Sequence, residues 1–267
     1  MSLPFRDRIR SESKMDYTSK FIFTTSCCRI LDATSKASHI RWLSMHIMEG
    51  YLDPIWCVIW FVIALPFVFL GAKKLIELIR EHPEHKMTVA LAGAFIFLLS
   101  SLKLPSVTGS SSHPTGTGFS AVLYGVCATS FLATIVLIFQ ALLLAHGGLT
   151  TLGANIFSMG IAGPAAGLLV WILLRKVTKN IPVCLFFATL VADLFTYVIT
   201  AIQMTLDHGK SVEAFVDFMT NYAATQVPLA IIEGILFFLF ATYLMTNKPE
   251  IFDIAAGGQQ AEAEQEA

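Results

Sequence analysis

Two histidines carry the chemistry open to this sequence. His46 follows Met45 in "MHIMEG", and His113 lies in "LPSVTGSSSHPTGTGF", residues 104–119. Neutral imidazole is a ligand for nickel, cobalt, copper and zinc. If the α-amine of Met45 is free, that amine, the amide nitrogen of His46 and the His46 imidazole close fused five- and six-membered chelate rings. Three nitrogens then lie in one plane, and a fourth, such as one from His113, completes a square. Square nitrogen coordination points to Ni(II) or Cu(II), and Co(II) can be held in the same way. The donor atoms must be deprotonated, so binding weakens as pH falls. The amine disappears if anything is joined ahead of Met45. A lone histidine in a polar loop is also an ordinary surface residue, and the chemistry alone does not choose between the two readings.

The elements that must position these groups follow from composition. The chain is 55% hydrophobic and 14% charged, with a mean hydropathy of +0.67. Residues 55–72 and 87–102 carry no charge, 181–206 contain one acid (Asp193), and 218–247 contain one (Glu233). About 20 apolar residues span a bilayer, and the runs are continuous rather than alternating, which argues against barrel strands. The fold class expected is all-α, a polytopic integral membrane protein placed in the cell's inner or plasma membrane.

Lysines and arginines cluster at Lys73–Lys86 and at Arg175–Lys179. Cytoplasmic loops carry the basic excess, so both loops are expected inside. Helices are expected near 55–78, 87–103, 149–175, 181–205 and 222–246. The His113 loop and the turn "HGGLTT" at 146–151 then both fall outside, which demands an even number of crossings between them. Because 119–145 is one apolar run, a break near Gly125 is expected, giving about seven transmembrane segments with the N-terminus outside and the C-terminus inside. His146 opens that turn. It reads mainly as polar punctuation, kept as a weak candidate by its side of the membrane. His82, His85 and His208 sit among charged or polar residues and read as solvated.

Residues 1–44 read differently. Eight Lys/Arg and four Asp/Glu are scattered without period, and "KFIFTT" is too short for a signal-peptide core. A mis-assigned start or a removed leader is expected ahead of a genuine extension, which makes Met45 the natural first residue. Residues 45–250 form the membrane domain, and the acidic tail 251–267 is expected to be disordered. The five cysteines (Cys27, Cys28, Cys57, Cys127, Cys184) show neither metal spacing nor a disulfide framework.

"MHIMEGYLDPIWC", "LKLPSVTGSSSHPTGTGF", "LTTLGANIFSMGIAGP", "LVADLFTYVITAIQMTL" and "PLAIIEGILF" together resemble the CbiM/NikM family. These are the substrate-binding (S) components of energy-coupling factor (ECF) transporters for cobalt and nickel. The form of the His113 loop resembles the cobalt branch. The resemblance implies seven helices and a metal site made by the Met45 amine, the amide nitrogen and imidazole of His46, and the imidazole of His113. Asn155, in "GANIFSMG", matches the family's loop near the site and is expected to position a ligand. Co(II) or Ni(II) is implied as transported substrate, with no cofactor of the chain's own. The implied partners are CbiQ-like, CbiO-like and CbiN-like subunits, alongside membrane lipid and without nucleic acid. The extension of 44 residues departs from the family pattern.

Other features are read more plainly. Glu49 is expected either as an acceptor bracing His46 or as a surface carboxylate. Asp193 and Glu233 are intramembrane acids, which are costly and default to functional hypotheses. Hydrogen bonding inside the bundle is the main reading for both, with proton relay or metal receipt as alternatives. Gly153, Gly160, Gly163 and Gly167 are expected to let helices approach closely. The sequence holds no GxxxxGK[ST] phosphate loop, HExxH or Ser-His-Asp pattern. A transporter subunit that borrows its motor is therefore expected, not an enzyme. The rivals are a nickel version, an ion-coupled secondary transporter and a membrane metalloenzyme.

Overall fold

A computed structural model describes residues 46–102, 104–105, 111–209, 211–249 and 251–252. Met45, the stretch 1–44 and the tail from 253 onward lie outside the described residues.

Helix α1 spans Pro54–Glu81. Pro54 sits at its first position, where a missing N–H costs nothing, and His82 ends it just before Pro83, as the residue preceding a proline is pushed out of the helical region. A single 3₁₀ turn, Pro83–His85, leads into α2, Lys86–Ser101. A short antiparallel pair, β1 (Leu104–Pro105) and β2 (Ser111–Ser112), brings the chain to α3, Thr117–Leu143. The helical turn α4 (Leu152–Asn155) passes through a π-helical stretch, Ile156–Ala162, into α5 (Gly163–Val177). Then come α6 (Ile181–Met204), a π turn over Thr205–Gly209, and α7 (Val212–Asn247).

The expected break in α3 is present. Gly125 adopts φ 79° and ψ 170° inside the helix, a conformation that only glycine takes cheaply. It divides a short piece on the His113 side from a longer remainder. Among the described residues, five helical stretches are long and apolar enough to cross a membrane: Pro54–Glu81, Thr117–Leu143, Leu152–Val177, Ile181–His208 and Tyr222–Asn247. Helix α2 has 16 residues, about 24 Å of rise, short of the roughly 30 Å of a hydrocarbon core. Helix α7 starts ten residues ahead of its apolar run, because Ser211 caps it by accepting from Ala214 N–H at 3.2 Å.

The small residues pack as expected. A side chain at Gly153 would overlap the Phe61 backbone, one at Gly163 would overlap Thr196, and one at Gly167 would lie 2.7 Å from the Ala188 carbonyl. Direct backbone approach of this kind drives helix association where lipid supplies no hydrophobic contrast. Leu99, Phe119, Trp171, Leu185 and Phe237 fill one core, while Ile55, Val58, Val62 and Phe69 on α1 face outward. The protein is an all-α, multi-pass membrane protein.

Candidate metal centre

Three imidazoles meet inside the bundle. The ring centroids of His46 and His113 are 4.7 Å apart, those of His46 and His146 4.6 Å, and those of His113 and His146 5.0 Å. Each ring offers a nitrogen, and those nitrogens lie within 4.8 Å of one another. Exposure is 2%, 0% and 4% for His46, His113 and His146, so a bound ion would be out of bulk water.

His46 lies on the segment ahead of α1, whose backbone is held among the helices. Asn155 Oδ1 accepts from Ile47 N–H at 2.9 Å, Asn155 Nδ2 donates to Ile47 O at 3.1 Å, and Thr151 Oγ1 donates to the same carbonyl at 2.6 Å. One buried amide therefore closes both polar groups of Ile47, the residue next to His46. His46 Nε2 lies 3.2 Å from the sulfur of Met159. A thioether is a weak acceptor, so this contact suits an Nε2–H.

His113 Nδ1 lies 3.0 Å from the Pro114 carbonyl. A carbonyl only accepts, so Nδ1 carries the proton and Nε2 the lone pair. Metal-binding histidines are commonly oriented in this way, by a hydrogen bond from the other ring nitrogen. Gly116, at φ 69°, turns the loop into α3.

His146 follows the end of α3, its N–H donating to Gln140 O at 3.1 Å. Ala145 (φ 47°) and Gly147 (φ 78°) flank it in left-handed conformations and fold the ring back over His46. A Cβ at Gly147 would stand 3.5 Å from the His46 Cβ. The sequence reading of His146 as turn punctuation is thus corrected: it is buried with the other two. The signal for it was an imidazole ahead of Gly-Gly on the same predicted side as His46 and His113. Met159 gave no signal, since a methionine in an apolar run reads as core filler.

Glu49 is exposed, and its Oε2 accepts from Thr150 N–H at 3.2 Å. Hydrogen bonding from Thr150 holds this carboxyl below its ordinary range. This bond joins the segment ahead of α1 to the turn that follows His146. Gly148 fits beneath it, where a Cβ would lie 2.6 Å from Glu49 N. Asp193 Oδ2 accepts from Gln226 Nε2 at 2.7 Å, and Glu233 accepts from the loop carrying His113. His82, Glu84 and His85 form a second group with rings 5.4 Å apart. His82 is exposed, in line with its solvated reading, whereas His85 is half-buried.

A buried cluster of three imidazoles inside an apolar helical bundle is a donor set that suits a borderline transition metal. A family profile described as the cobalt uptake substrate-specific transmembrane region matches residues 46–251. Similar chains include CbiM proteins of Methanocorpusculum labreanum (54% identical, 78% of this chain and 91% of that one) and Methanocaldococcus jannaschii (54%, 78% and 90%), both named as candidate cobalt transport proteins. The cobalt transport protein CbiM of a Nostoc species is 51% identical, over 78% of this chain and 81% of that one. Two crystal structures titled as a transition metal transporter, one of them truncated, share the fold with TM-scores of 0.68 and 0.67 at 24% identity. Each covers 75% of this chain, and 92% and 98% of theirs. The chain belongs to the CbiM family.

Proposed function

We propose that this protein is the metal-binding membrane component of a cobalt importer of the energy-coupling factor type. The observation that carries the reading is the convergence of His46, His113 and His146 around one buried point. In this scheme the Met45 amine, the His46 amide nitrogen, His46 Nδ1 and His113 Nε2 hold the ion, and Asn155 fixes the backbone that carries the chelate. His146 supplies a further nitrogen, which suits an ion accepting more than four ligands. Met45 must then be the first residue of the working protein.

Seven crossings, with the site toward the outside and the C-terminus inside, follow from the basic loops. Co(II) enters from outside and is released inside when partner subunits rearrange the bundle. The sequence has no phosphate-binding loop, so ATP hydrolysis falls to a CbiO-like ATPase acting through a CbiQ-like coupling subunit, with a small CbiN-like membrane subunit. Supply of cobalt for cobalamin synthesis is the cellular use, in the plasma membrane. Asp193 and Glu233 both take hydrogen bonds within the bundle, which favours structural roles over ion coupling.

The test is metal content. Purified protein should retain one Co(II) per chain, and His46→Ala or His113→Ala should abolish retention while membrane insertion stays normal. Retention of nickel but not cobalt would favour a nickel importer, and unchanged retention in His113→Ala would remove that residue from the site.

A further inference from the structure

The loop that presents His113 is gripped by α7 on both sides of the histidine. Ahead of it, Ser112 Oγ meets Thr225 Oγ1 at 3.0 Å. Behind it, Glu233 Oε2 accepts from Thr115 N–H at 2.7 Å, and Oε1 accepts from Gly116 N–H at 2.9 Å and from the Thr115 hydroxyl at 3.3 Å. Glu233 is 1% exposed and Thr115 is fully buried.

An acid in a membrane bundle is costly to keep, and holding a loop in place does not by itself require one. What an acid adds is two acceptor oxygens of equal strength. Two successive backbone N–H groups converge here on a single carboxylate, an anion-binding arrangement, and charge-assisted hydrogen bonds are the strong and short kind. An amide in the same place offers only one oxygen, and its NH₂ would face an N–H or a hydroxyl donor.

We propose that Glu233 is a positioning residue of the metal site. Its carboxylate sets the His113 loop so that the His113 ring meets His46, and it makes α7 the element whose movement shifts that ring. Pro228 lies within α7 between Thr225 and Glu233. A proline in a helix interior removes a backbone hydrogen bond and favours a bend there, so the two grips on the loop stand on either side of a natural flexing point. The inference rests on the metal-site reading above and extends it to a residue that touches no ligand atom.

The test uses the full chain purified in detergent, with Co(II) as the probe. Co(II) affinity is measured by equilibrium dialysis, the visible spectrum of the bound ion is recorded, and the thermal midpoint of the metal-free protein serves as a folding control. Glu233→Gln and Glu233→Ala should each weaken Co(II) binding by roughly ten- to a hundredfold, the range for residues that orient metal ligands. The spectrum of the remaining bound ion should shift. A Ser112→Cys/Thr225→Cys pair, placed where those side chains already meet, should restore most of the affinity to Glu233→Ala once oxidised. Native affinity and spectrum in both Glu233 variants would overturn the proposal. So would a disulfide confirmed by mass that leaves the affinity low, since Glu233 would then act otherwise than by holding the loop. If Glu233→Ala does not fold, the isosteric glutamine variant carries the test. Unchanged binding in His113→Ala would sink the metal-site reading itself. Loss there with native binding in the Glu233 variants would sink the positioning role alone.

Discussion

Asn155 closes both hydrogen bonds of Ile47, its Oδ1 taking the N–H at 2.9 Å and its Nδ2 giving to the carbonyl at 3.1 Å. A bidentate side-chain amide fixes the backbone on both sides of Ile47, and the Ile47 N–H belongs to the peptide that joins it to His46. Asn155→Ala is expected to weaken Co(II) binding by roughly ten- to a hundredfold, with the protein still folded. Dialysis against cobalt together with the thermal midpoint checks this, and native affinity would show that the segment ahead of α1 holds itself.

His146→Ala should change the character of the bound ion more than its presence. If His146 supplies a nitrogen beyond the four of the chelate plane, the visible spectrum of bound Co(II) shifts while retention falls only partly. An unchanged spectrum would confine His146 to packing over His46.

Acidification should release the ion. Each ligand nitrogen must be deprotonated to bind, so protons compete with metal and retention falls as pH is lowered. Glu49 points the same way. Hydrogen bonding from Thr150 holds its carboxyl below the ordinary range, so its tie to Thr150 is in place at neutral pH and weakens as the carboxyl takes up its proton on acidification. Cobalt retention that is flat through the mildly acidic range would contradict the nitrogen-donor set.

Gly153 is a structural prediction independent of metal. Because a Cβ there would strike the Phe61 backbone, Gly153→Val should destabilise the protein by about 1–3 kcal/mol, as overpacking does, lowering the thermal midpoint of the metal-free form. Unaltered stability would mean that α1 and α4 can separate freely.

Much of this arrangement was legible in the sequence for physical reasons. The basic-loop rule, by assigning the His113 loop and the 146–151 turn to one side, called for a break in an unbroken apolar run, and Gly125 carries non-helical dihedrals there. Small residues announced close helix contacts, and Gly153, Gly163 and Gly167 make them. His46 stood out because it directly follows Met45, and His113 because its loop falls on the same expected side of the membrane. His146 was under-read because a polar residue before Gly-Gly has a sufficient explanation as a turn. Its burial depends on the backbone at Ala145 and Gly147, which composition does not disclose. Glu233 was legible as a costly acid but not as the anchor of a loop 118 residues away, since hydropathy fixes a helix's depth and leaves its rotation open.

The central claim is a primary amine at Met45 joined to His46 and His113 around one ion. Its most direct test is the intact mass of the protein purified from membranes of cells expressing the full gene, read beside its cobalt content. The account predicts a chain beginning at Met45 with one cobalt bound. A chain that keeps residues 1–44 and still carries one cobalt would contradict it.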